Sequence, residues 1–257
     1  MHWSAKCLSA VSFWCVAQSA LAVTCGSSTN DEYYKGDKPV IHDPDLNESV
    51  LELCKQEYNL KASNVTGTNL WSAQHLTASR ARGGDEISRV DMSFTSETGF
   101  AAKHASYTSS GYDRGHMMPA NDASTTDAQK ETFSIANVVP QTPKLNRYTW
   151  RDIEVTVHEL AKTYGEVYVV TGPDFANMAT TINGGKVVVP TETWKAVYVP
   201  DAGVAGAYWC KNTSAPTCEI ISINALEDAA WVDAFPALAS SLRDQTASDW
   251  KDVLILP

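Results

Sequence analysis

Tyr112-Asp113-Arg114-Gly115-His116-Met117-Met118-Pro119 gathers in one short run the parts needed for chemistry on a phosphate. An imidazole titrates near neutrality and can take or give a proton. The guanidinium two residues before it offers a planar fork of donors to an anion, and the glycine between them is a flexible backbone joint. A histidine that only anchors a turn would use the same residues, so this run alone leaves both readings open. Other signatures break at a required position. His158-Glu159 starts like a zinc-protease helix, but Lys162 stands where a second histidine must share the metal. Asp43-x-Asp45-x-Asn47 starts like a calcium loop, yet Glu48 replaces the glycine and Cys54 the bidentate glutamate. Neither a Gly-x-Ser-x-Gly elbow nor a phosphate-cradling Gly-x-x-x-x-Gly-Lys loop is present.

Downstream lie Asn137-Val138-Val139-Pro140-Gln141 and then Leu145-Asn146-Arg147-x-x-Trp150-x-x-x-Glu154. Together with Asp-Arg-Gly-His, these resemble the DNA/RNA non-specific endonucleases, the ββα-metal nucleases of the Serratia nuclease and endonuclease G type. Order, spacing and residue types agree from Tyr112 to Glu154. A weaker likeness extends through Leu70-Trp71-Ser72, Val169 to Pro173, Pro190 and Trp194-Lys195.

The resemblance implies an α+β, ββα-metal nuclease fold whose central, largely antiparallel sheet is flanked by helices. It makes His116 the general base that deprotonates the attacking water. Asn146 becomes the only direct protein ligand of Mg²⁺, with Mn²⁺ as the alternative ion, and Glu154 reaches the ion through water. A cation that keeps most of its waters suits so sparse a ligand set. Asn137 and Gln141 then support the site by hydrogen bonds, and Arg114 stabilises phosphate charge or braces the motif. The implied reaction is hydrolysis that leaves 5′-phosphate ends, and because nothing in it calls on the ribose 2′-hydroxyl, DNA and RNA are both substrates. Two departures stand out: His158 occupies a position where the family commonly has an arginine facing the cleavage site, and Gly67 another where some relatives carry a phosphate-contacting arginine. Arg147, Arg151 and Lys144 beside Asn146 offer local positive potential, although each singly reads more simply as a solvated helix-face charge. Trp150 reads as a core aromatic. The alternative to an enzyme is a catalytically weak or inactive nucleic-acid-binding module on the same fold.

The elements that must position these residues are legible in part. Asn47 to Leu60 reads as a helix and Asn69 to Thr77 as the first strand, while Gly83-Gly84 and Ser93 to Ser110 read as loops. Glu166 to Thr171 carries the strongest strand signal and stops at Gly172-Pro173. A hairpin follows, Thr180 to Ile182 and Lys186 to Val189 about Asn183-Gly184-Gly185, then strands at Thr193 to Val199 and Cys218 to Ile223. Helices are expected over Thr126 to Ser134, Asn146 to Tyr164 and Glu227 to Leu242. These elements make one mixed domain with a largely antiparallel sheet.

The chain has 257 residues, is 44% hydrophobic and carries a formal charge of −10. That composition excludes collagen, coiled coil and bulk disorder, and the acidic balance argues against coating nucleic acid by charge alone. Met1 to Lys6, the apolar run Cys7 to Ala17 and Ala20-Leu21-Ala22 read as a signal peptide over residues 1–22, leaving 23–257 as a single domain and implying a secreted or periplasmic product. A lipoprotein box at Leu21 to Cys25 is the rival reading, disfavoured by the bulk of Thr24. No membrane-spanning segment is expected. Cys25, Cys54, Cys210 and Cys218 then remain, an even number that implies disulfides in an exported chain. Of three pairings, Cys25–Cys54 and Cys210–Cys218 close the most local loops. Expected partners are DNA and RNA, with an inhibitor protein as a further one; the oligomeric state has no signature.

Overall fold

Glu166 to Thr171, the strongest strand signal, becomes the central strand of the computed structural model, which describes residues 31–257. In chain order the strands are β1 (Val40–Ile41), β2 (Val50–Cys54), β3 (Asn59–Ser63), β4 (Thr68–Thr77), β5 (Asp113–His116), β6 (Val138–Gln141) and β7 (Glu166–Asp174). After them come β8 (Thr181–Ile182), β9 (Val187–Val188), β10 (Glu192–Val199), β11 (Val204–Lys211), β12 (Cys218–Ile221) and β13 (Val232–Asp233). The helices are α1 (Ala78–Glu86), α2 (Thr126–Thr132), α3 (Arg151–Tyr164), α4 (Ile223–Ala230), α5 (Ser240–Arg243) and α6 (Ala247–Trp250).

Seven strands form one sheet in the order β12-β11-β10-β7-β4-β3-β2, with every neighbouring pair antiparallel. This is the α+β architecture expected from the sequence. Strand β7 is covered on both faces, which is why β-branched residues run through it almost without alternation. Val167, Val169, Val197 and Val199 face Ile153, Val157, Leu160 and Ala161 of α3. Trp71, Ala73, Val170 and Ala196 face Ile223 and Leu226 of α4 on the other side. Each fully buried Val, Leu or Ile contributes about 1.5–3 kcal/mol by leaving water, so the layer carrying α3 is anchored firmly. A separate antiparallel ribbon pairs β5 with β6, with Gly115 opposite Val139 and His116 opposite Val138. Ribbon and α3 together make the two-strands-and-helix unit on which the site is built.

Several expectations are corrected. Asn47 to Leu60 is the hairpin β2–β3, not a helix. Leu51, Leu53, Leu60 and Ala62 alternate with Glu52 and Lys61, a period of two, and Lys61 pairs with Glu52 across the strands at 3.3 Å. Gly83-Gly84 lies inside α1, where Gly84 lets the helix approach the Asn121 backbone so closely that a Cβ would overlap it. The helix expected over Glu227 to Leu242 is instead α4, started by a Ser222 cap on Ala225 N (3.1 Å) and ended by Trp231 in the left-handed region at φ 55°. Strand β13 and Pro236 then separate it from α5. Strand β11 had no sequence expectation; its small residues Ala205, Gly206 and Ala207 hide the β signal but let the Trp250 indole close over Gly206.

Cys210 and Cys218 are bonded to each other as expected. Cys54 is also disulfide-bonded, while its expected partner Cys25, like the expected signal peptide, lies outside the described residues. Among the described residues no helix is long and apolar enough to cross a membrane.

Candidate active site

Alternation along β5 sends Arg114 and His116 to one side of the ribbon and Gly115 to the other, against Gln141. A Cβ on Gly115 would overlap the Gln141 side chain, so the residue is required for close approach rather than for flexibility. Gly115→Ala should therefore displace Gln141 and cost about 1–3 kcal/mol as overpacking does. In a thermal melt that is a Tm lowered by several degrees, at about 2–4 °C per kcal/mol; a melt matching the parent would show that the ribbon has slack.

Behind the ribbon, fully buried Asn137 joins four groups. Its Oδ1 accepts from Ser72 Oγ (2.8 Å) and Met118 N (3.0 Å), and its Nδ2 donates to Met118 O (3.0 Å) and Thr132 O (2.9 Å). It thus pins the segment that follows His116. Gln141, also buried, donates to Thr193 Oγ1 at 3.2 Å. Neither side chain lines the cleft.

The cleft, about 520 Å³, takes Asp113, Arg114 and His116 from β5, Asn146 and Arg147 from the helical entry, Glu154 and His158 from α3, and Asp85, Arg89, Phe94 and Asp122 from around it. His116 and Asn146, distant in sequence, share one cavity. The His116 ring lies between Phe94 and Phe133, with centroids 5.0 and 5.3 Å away. Burial pushes the imidazole down to about 3, and the nearby Arg89 charge acts in the same direction, so the ring is neutral at physiological pH. Its Nε2 has no hydrogen-bond partner among the described residues.

The helix carrying Asn146 opens earlier than expected, at Pro143, and runs as a π-helical turn over Leu145–Trp150 before becoming α3. Asn146 is not its cap: its N–H donates to Thr142 O at 2.9 Å, and proline takes the first helical position, where its missing N–H costs nothing. Asp113 fixes the Asn146 side chain by accepting from Nδ2 at 3.1 Å. A carboxylate only accepts, so the amide nitrogen is turned to Asp113, and Oδ1 has no hydrogen-bond partner among the described residues. Burial alone would raise the Asp113 carboxyl, but hydrogen bonds from Arg147, at 2.7 Å to each oxygen, and from Asn146 hold it below the usual carboxylate range.

Deeper in the cleft, burial pushes Glu154 up to about 7, reinforced by Asp122 and opposed by Lys195 and Arg89. Lys195 is 1% exposed. Its Nζ donates to Thr171 Oγ1 (2.8 Å) and sits 5.4 Å from the centroid of the buried Trp150 ring. His158 Nδ1 bonds Asp122 at 2.8 Å and Nε2 bonds Asp85 at 3.2 Å. The Asp122 hydrogen bond raises the imidazole against the cost of burial, which favours its charged form between two carboxylates. Arg114 donates to His104 O at 2.8 Å, spreads over the rings of Phe94 and Tyr107, and leaves Nε unpaired among the described residues. Gly67 lies outside the cleft at φ 66°, where a Cβ would overlap Lys186 O, so its backbone excludes any longer side chain.

Of the residues singled out in the sequence, His116, Arg114, Asn146, Arg147, Glu154 and His158 converge on the cleft, and Asn137 and Gln141 stand behind it. Asp122 and Arg89 gave no comparable signal, and Lys195 entered only through the weaker likeness at Trp194-Lys195. Asp122 could have been suspected only from a tertiary contact with His158 across 36 residues.

The family model for DNA/RNA non-specific endonucleases matches residues 40–241. The chain is 36% identical over 156 residues to a nuclease of Nostoc sp., covering 60% of this chain and 56% of that protein. It is 33% identical to nuclease C1 of Cunninghamella echinulata over 181 residues, 65% of this chain and 71% of the relative. It is 32% identical to human mitochondrial endonuclease G over 164 residues, 58% and 54% of the two chains. The matched stretch thus spans from about half to seven-tenths of these relatives. In fold, a chain of the solved EndoG/EndoGI complex superposes with a TM-score of 0.64 at 24% identity, over 74% of this chain and 88% of that one. With a family match that contains the ribbon, the helical entry, α3 and most of the sheet, the chain belongs to the DNA/RNA non-specific endonucleases.

Proposed function

We propose that the chain is an exported, divalent-metal-dependent endonuclease that hydrolyses phosphodiester bonds in DNA and RNA and leaves 5′-phosphate ends. The observation that carries this reading is the cleft itself, where a neutral imidazole and an unpartnered amide oxygen stand together among arginines. His116 takes the proton from the attacking water, a role that needs the uncharged ring. Arg114 and the rim residue Arg147 meet the phosphate, and Arg147 also orients Asp113. His158, with both nitrogens committed to carboxylates, stands in place of an arginine and keeps no free donor for the phosphate. Asn137 and Gln141 hold the ribbon in place.

Asn146 Oδ1 and the Glu154 carboxylate fit a hard cation, since both are oxygen donors and Oδ1 is turned from Asp113 toward nothing else. These two residues would hold Mg²⁺, or Mn²⁺, Glu154 doing so through water. When bound, the ion supplies Lewis-acid stabilisation of phosphate charge. The proposed chemistry makes no call on the ribose 2′-hydroxyl, which supports action on both sugars. The Cys210–Cys218 bridge supports an oxidising, secreted or periplasmic location.

The test is digestion of supercoiled plasmid and of RNA by the purified protein. Nicked and linear DNA and shortened RNA are expected with Mg²⁺, and none of either with EDTA. A folded protein that binds nucleic acid but cuts neither substrate with Mg²⁺ or Mn²⁺ would be the non-catalytic binding module instead.

A further inference from the structure

Asn212-Thr213-Ser214 has the form of a glycosylation acceptor, yet the Asn212 side chain is turned inward and is 9% exposed. Its Oδ1 accepts from Thr142 N at 2.8 Å, and its Nδ2 donates to Pro140 O at 2.8 Å and Pro190 O at 2.9 Å. The backbone N–H of Asn212 adds a bond to Thr191 O at 2.9 Å. Asn212 thereby ties the end of β6 and the start of the helix to the segment leading into β10.

Thr142, the residue it grips, leads directly to Asn146. Thr142 O accepts the Asn146 N–H at 2.9 Å, and Thr142 Oγ1 donates to Thr213 O at 2.8 Å. Asn212 itself sits in a short loop whose base is closed twice, by the Cys210–Cys218 bond and by Lys211 N to Thr217 O at 3.0 Å. Cross-linking so short a loop removes its conformational freedom. A continuous path of bonds therefore runs from the disulfide through Asn212 and Thr142 to Asn146.

We propose that Asn212, held by the Cys210–Cys218 loop, is a positioning residue that sets where Asn146 presents its oxygen to the cation. The proposal rests on reading Asn146 as the cation ligand. Residues that orient a ligand without touching the metal typically govern affinity by about 10–100-fold. Neither family motif contains Asn212, and its contribution comes wholly from tertiary contact.

The experiment is titration of Mn²⁺ into the nucleic-acid-free protein, followed by calorimetry and by the loss of the free-ion paramagnetic resonance signal, with circular dichroism and melting on each variant. Asn146→Ala is expected to abolish saturable binding; undiminished binding there would refute Asn146 as the ligand, and the present proposal with it. With that established, Asn212→Ala is expected to weaken Mn²⁺ binding at least about 10-fold while keeping a cooperative melt. Native affinity with only a lowered Tm would mark Asn212 as structural and overturn the proposal. If Asn212→Ala does not fold, the paired Cys210→Ser, Cys218→Ser variant decides: weaker Mn²⁺ binding by the folded protein supports the path, and native affinity overturns it.

Discussion

His116→Ala is expected to lower cleavage of both DNA and RNA by about 10²–10⁴-fold, the usual contribution of a positioned general base. The fold should survive. The ring is held by Phe94 and Phe133, and its Nε2 makes no hydrogen bond, so alanine removes a buried, unpartnered polar atom along with some packing. An unpaired buried polar group is itself costly, which offsets part of the packing loss and keeps the change in Tm small. Mn²⁺ affinity should also be unchanged, because His116 is not among the proposed ligands. The loss should fall equally on DNA and RNA, since the base acts on water and not on the sugar. Added imidazole is expected to restore part of the activity. Unaltered cleavage by a folded His116→Ala protein would remove the residue from the mechanism.

The reach of the sequence is seen by comparing His116 with its surroundings. The proposed base His116, the proposed amide ligand Asn146 and Glu154 are legible because they lie at short, fixed spacings within one ribbon–helix unit whose geometry is local. Asp113 is in the same motif, but its function, turning the Asn146 amide, appears only when the ribbon is laid beside the helical entry. Asp122, Arg89, Lys195 and Asn212 arrive from separate elements, and no periodicity in the chain foretells that the first two line the cleft while Lys195 packs on Trp150 and Asn212 grips Thr142 behind it. The fold shows the same division. Strand β7 declares itself by an unbroken apolar run, whereas β11 is masked by the small residues that allow Trp250 to close on it. The β2–β3 hairpin mimics a helix in sequence because Val50, Leu51, Leu53 and Cys54 can be drawn on a helical face; the Glu52–Lys61 pairing that decides for strands is a cross-strand relation.

Glu154→Gln is expected to reduce cleavage by about 10²–10³-fold, the scale for removing one electrostatic contact at a reacting phosphate or oxyanion, and to change the shape of the pH profile. Burial raises the Glu154 carboxyl to about 7, while His116, at about 3, is already neutral well below that. Activity should therefore rise with pH as Glu154 ionises, at a pH that the bound cation draws below the metal-free value of about 7, and this limb should vanish in Glu154→Gln; a limb that persists would belong to another group. Lys195→Met removes the buried positive charge that favours the ionised carboxylate, so it should move the limb to higher pH. Stability supplies a readout independent of catalysis. A carboxyl whose folded pKa is raised stabilises the fold fully below its unfolded value, about 4.5, and loses that contribution as pH climbs through about 7. In EDTA, Glu154→Gln should accordingly melt higher relative to the parent at pH 8 than at pH 5. A difference in Tm that does not depend on pH would show that the carboxyl is not held out of its normal range, and the acidic limb would then need a different owner.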